Sequence, residues 1–114
     1  MVKTSETKEY NFELLWTEEG TDSLWEAWHF LAEKSEDNAD SMAERAFERV
    51  EILSKHPYLG ARVPELLKEK LPYRQLVLSK WPYRIIYRVD EQEEKVFILC
   101  LHPTKIPLEM FFDR

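Results

Sequence analysis

Residues 81–103, WPYRIIYRVDEQEEKVFILCLHP, constrain the fold more than any other stretch, because they read as two β-strands joined by a loop too charged to bury. Side chains alternate along an extended chain, so Tyr83, Ile85, Tyr87 and Val89 share one face and Arg84, Ile86 and Arg88 share the other. The first set predicts a buried face and the second a mostly polar, open one. Asp90, Glu91, Gln92, Glu93 and Glu94 turn the chain. The apolar run at 96–101 then has the length and β-branched content of a covered strand. The rest of the chain must pack around this hairpin.

Upstream, residues 10–16 alternate Tyr10, Phe12, Leu14 and Trp16 against Asn11, Glu13 and Leu15, which predicts a first strand with one buried face. Thr17 followed by Glu18 and Glu19 supplies a helix cap and an acidic first turn, since a side-chain oxygen accepts a free backbone N–H and carboxylates favour the positive helix end. The first helix is expected to run to about residue 34, burying Leu24, Trp25, Trp28, Leu31 and Ala32. His29 beside that stripe has no second ligand at metal spacing and reads as structural.

After Ser35, Glu36, Asp37 and Asn38, helical spacing of Ala39, Met42, Ala43, Ala46, Val50 and Leu53 predicts a second helix to about residue 55. The small alanines would let it lie close to the first in an antiparallel pair. Glu44, Glu48, Glu51, Arg45 and Arg49 read as its solvated face. Pro57 stops this helix, Gly60 and Pro64 bracket a loop, and residues 65–70 have room for one helical turn. Residues 71–79 predict a further strand, Tyr73, Gln75 and Val77 opposing Arg74, Leu76 and Leu78. The order is β-α-α-β-β-β: an α+β fold with an antiparallel sheet of about four strands and a two-helix hairpin on one face.

A length of 114 residues with 44% hydrophobic side chains suffices for one core and one domain, with residues 1–8 read as a flexible N-terminus. No apolar run approaches the roughly 20 residues that span a bilayer, and the N-terminus lacks the apolar core of a signal peptide, so a cytoplasmic protein without membrane contact is expected. Cys100, the single cysteine, lies in the apolar strand as a small hydrophobe, which excludes a disulfide framework. The net charge of −6 is uneven: residues 1–57 hold 14 acidic and 6 basic side chains, a net of −8, and residues 58–114 hold 8 and 10, a net of +2. Whole-chain charge argues against nucleic-acid binding, which draws most of its non-specific affinity from neutralised phosphates.

The opening strand, the two helices, the turn LSKHPYLGARVPEL, the strand beginning YRQL and the segment YRIIYRVDEQEEKVFILCLHP together resemble the RelE/ParE superfamily, the toxins of bacterial toxin–antitoxin and plasmid stabilisation modules. The resemblance spans residues 10–102. It implies one of two activities: RelE-like members cut messenger RNA on the ribosome, and ParE-like members inhibit DNA gyrase without cleaving nucleic acid. Metal-free RNA cleavage needs cations for the charged phosphorane and a group that moves protons. Arg84 matches the arginine that the RelE-like nucleases carry on their third strand, and His102 and Lys105 could stand in for the rest of the set. Thr104 and Met110 occupy places where those nucleases put basic residues and a tyrosine.

The expectation is therefore a ParE-like toxin that needs no cofactor or metal, binds a protein target such as DNA gyrase and is neutralised by an antitoxin. The alternatives are a ribosome-dependent endoribonuclease using Arg84, Arg74 and His102, and a non-toxic relict binding domain. Arg74, Arg84 and Arg88 are expected to form a positive patch on the open sheet face that orients an acidic partner segment. An alternative for Arg84 is simple pairing with an acidic neighbour. The tail at 103–114 crowds Ile106, Leu108, Met110, Phe111 and Phe112 together. These pack on the domain itself, or Met110, Phe111 and Phe112 anchor a homodimer or antitoxin interface along with Lys105.

Overall fold

Both helices start where the sequence supplies an oxygen to receive their free N–H groups. A computed structural model describes residues 9–67 and 72–108. After β1 (Glu13–Trp16), Thr17 Oγ1 accepts the Gly20 N–H at 3.0 Å and opens α1 (Glu18–Ala32). Ser35 Oγ accepts the Asn38 N–H at 3.1 Å and opens α2 (Glu36–Ile52). Four strands follow: β2 (Ala61–Arg62), then, after a 3-10 turn at Pro64–Leu66, β3 (Tyr73–Val77), β4 (Tyr83–Asp90) and β5 (Lys95–Pro103).

The sheet runs β1-β5-β4-β3-β2, with β1 parallel to β5 and every other neighbouring pair antiparallel. It is thus a mixed sheet of five strands, where an antiparallel sheet of about four was expected. The parallel edge follows from how α1 is anchored. Thr17 Oγ1 donates to the Ile98 carbonyl at 3.0 Å, and the Leu101 N–H donates to Ser23 Oγ at 2.8 Å, so the helix lies across β5. A Cβ at Gly20 would collide with the Ile98 carbonyl oxygen, so this close approach requires glycine. The strand entering such a helix has to run beside β5, which makes it the parallel edge. β2 was read as loop because two exposed residues carry no alternation to recognise.

The α-hairpin covers one sheet face. Leu24, Met42, Ala46, Val50 and Leu53 pack there on Leu76, Ile85, Tyr87, Val96 and Ile98. Ala39, Met42 and Ala46 are fully buried, as expected of a close helix pair, whereas Trp25, expected in the stripe, is 56% exposed. The opposite face was expected to be open and is not. Val63, Leu66, Ile86, Cys100 and Leu108 form a second, smaller core on it.

An irregularity in the hairpin supplies part of that second core. Ile86 pairs with Cys100 but Tyr87 pairs with Ile98, which leaves Leu99 as an extra residue in β5. Val96, Ile98 and Leu101 consequently reach the main core, while Leu99 and Cys100 both serve the second. Among the described residues no helix is long and apolar enough to cross a membrane.

Candidate functional site

Arg84 and His102 are direct cross-strand partners on β4 and β5, so the sheet brings together the two residues that the sequence offers for nuclease chemistry. Neither faces solvent: Arg84 is 6% exposed and His102 7%. Arg84 Nη1 and Nη2 donate to Glu65 Oε1 at 3.1 Å and Oε2 at 2.6 Å, and Nη1 also donates to Gln75 Oε1 at 2.7 Å. This fork holds the Glu65 carboxyl down at about 2, well below the ordinary carboxylate range. The arginine expected on an open face is in fact a buried, neutralised cation, because the 3-10 turn brings Glu65 over it. His102 Nε2 lies 2.9 Å from the Ile106 carbonyl oxygen, and burial pushes its pKa down. Closed in this way, Arg84 and His102 have no access to a phosphodiester.

The three arginines do not form the expected patch. Arg74 pairs with Tyr87 and so lies on the helix-bearing face, donating to the Gly60 carbonyl at 2.6 Å with its guanidinium 5.2 Å from the Tyr58 ring centroid. Gly60 is fixed there from two sides: its N–H donates to the Tyr87 hydroxyl at 2.8 Å, and a Cβ would strike both that hydroxyl and the Gln75 carbonyl oxygen. Arg88 stands over the Phe97 ring at 4.4 Å. Lys105 is exposed beside a shallow cleft of about 310 Å³ walled by Phe30, Pro82, Tyr83 and Pro103. Met110, Phe111 and Phe112 lie outside the described residues. Among the described residues no three His, Cys, Asp or Glu side chains come together as a metal site.

A different surface stands open on the α-hairpin. Trp16, Leu24, Trp25, Trp28, Ala43 and Phe47 line a groove of about 560 Å³. Trp16 and Phe47 meet edge to face at 5.5 Å, as do Trp25 and Trp28 at 5.9 Å, and Trp28 Nε1 donates to Asp40 Oδ1 at 2.9 Å across the helix pair. Phe47 is 48% exposed. The setting is acidic: α1 carries four acidic side chains and no lysine or arginine, and α2 six against two arginines.

Sequence reasoning missed this groove by assigning Trp25 to the core. A signal was present in the crowding of Trp25, Trp28, His29 and Phe30 within two turns, more aromatic surface than one helix face can bury. Glu65 was missed as well, since nothing local marks a single glutamate as the partner of an arginine 19 residues away.

Comparison with known proteins agrees with this architecture. Residues 14–105 match the family model described as the ParE toxin of the type II toxin–antitoxin system, parDE. The chain is similar to a structure of a chromosomal ParDE TA system from P. aeruginosa, with a TM-score of 0.64 at 22% identity, covering 82% of this chain and 96% of that one. It is also similar to the toxin–antitoxin complex RelBE2 from Mycobacterium tuberculosis, with a TM-score of 0.53 at 19% identity over 85% of this chain and 97% of that one. No curated protein matches. With the family model spanning most of the chain and the same fold in both structures, this protein belongs to the ParE toxins of type II toxin–antitoxin systems, within the RelE/ParE superfamily.

Proposed function

We propose that the chain acts by binding a protein target, DNA gyrase, and is neutralised by an antitoxin that seats an amphipathic segment in the groove between α1 and α2. The observation carrying this reading is the contrast between the two faces. Arg84 and His102 are closed off by Glu65 and Ile106, while the aromatic groove stands open. Exposed Trp and Phe side chains around a groove are the surface a protein partner buries, at roughly 1.5–3 kcal/mol for each large side chain fully covered. The acidic helices call for basic residues beside the partner's apolar face, since like charges brought together there cost affinity. Both structures named above are of toxin–antitoxin systems, which supports an antitoxin as the occupant.

The test adds purified protein to DNA gyrase and, separately, to a translating extract. Inhibited supercoiling with an intact reporter transcript is the expected result. Cuts at codon positions that disappear with Arg84→Ala would overturn the proposal in favour of a ribosome-dependent ribonuclease.

A further inference from the structure

Residues 104–108 fold back across the second sheet face, held among the described residues mainly by backbone hydrogen bonds. The Thr104 N–H donates to the Pro82 carbonyl at 2.9 Å, and the Ile106 carbonyl meets His102 Nε2. The Leu108 N–H donates to Glu65 Oε2 at 3.2 Å, and the Leu108 side chain is fully buried in the second core. Residues 104–107 are otherwise exposed. Glu65 Oε2 thus accepts from Arg84 and from Leu108 at once, so one carboxylate ties β4 to the end of the described chain.

We infer that residues 104–108 form a clasp, latched by Glu65, that opens without unfolding the main core and in doing so uncovers His102 and the second core. Two features support separate opening. Among the described residues, the second core is small and shares no buried side chain with the main core, and residues 104–108 contribute one side chain to it, Leu108. Segments with few buried contacts open at a free energy below that of global unfolding. This inference does not depend on the toxin's target.

Cys100 reports on the clasp directly. It sits in the second core 2% exposed, and burial pushes its thiol up to about 12, so a thiol reagent at neutral pH reacts only after opening. The experiment follows labelling of the native full-length protein with a chromogenic disulfide reagent along a urea series, in wild type, Leu108→Ala and Glu65→Gln. A main-core control, Val50→Ala, accompanies them. The expected result is labelling with a urea dependence well below that of global unfolding, accelerated at least tenfold by Leu108→Ala and by Glu65→Gln and unchanged by Val50→Ala. A wild-type urea dependence equal to that of global unfolding would overturn the clasp. So would a Val50→Ala acceleration matching its loss of global stability, and the wild-type urea series decides the matter even if a variant fails to fold.

Discussion

At the scale of single residues, the Glu65–Arg84 pair has a direct consequence for stability. Removing one member of a fully buried pair costs about 3–5 kcal/mol. The Glu65 side chain is 24% exposed, so solvent relieves part of that cost and Glu65→Gln is expected to lose about 2–3 kcal/mol, seen as a fall in Tm of roughly 10 °C. The pH dependence has a definite sign. Arg84 depresses the folded-state pKa of Glu65 from 4.5 to about 2, so the stabilisation is complete above 4.5 and is lost as pH falls toward 2. Melting curves across that interval should therefore fall more steeply for wild type than for Glu65→Gln; parallel curves would assign the acid loss to other carboxylates. Tyr87 and Gly60 illustrate a second kind of dependence, in which one hydroxyl holds a loop that admits no side chain.

At the scale of elements, the α-hairpin does two jobs with one set of small residues. Ala39 and Ala46 are fully buried and let the helices approach, while Ala43, half-buried one turn from each, leaves the groove floor empty. Ala43→Arg should fill that space at little cost to the helix, because arginine is among the better helix formers. Tm is expected to change by no more than a degree or two while neutralisation by the antitoxin is lost, scored as growth rescue on co-expression. Full rescue with the groove blocked would place the antitoxin elsewhere. In the β4–β5 hairpin, one extra residue at Leu99 shifts the alternation of β5, so that Leu101 joins Val96 and Ile98 in the main core while Cys100 turns to the second.

At the scale of the whole molecule, charge is distributed by layer. The two helices hold ten acidic side chains and two arginines, so a partner in the groove approaches a negative surface, and association with a basic segment should slow as salt screens it. Stopped-flow rates from low to high salt measure this, and rates independent of salt would remove charge from the recognition. By itself the sequence determined the local features: both helices and the first one's cap at Thr17, the 83–103 hairpin, the buried Cys100 and the family resemblance. Each depends on neighbours within a few residues, through period, propensity or a capping oxygen. Only the tertiary structure decided that β1 runs parallel to β5, that Arg84 meets Glu65, that Arg74 lies on the other face from Arg84, and that Trp25 stands in a groove. Those outcomes depend on which distant segments come together, and alternation along one strand says that its two faces differ without saying what will cover either of them.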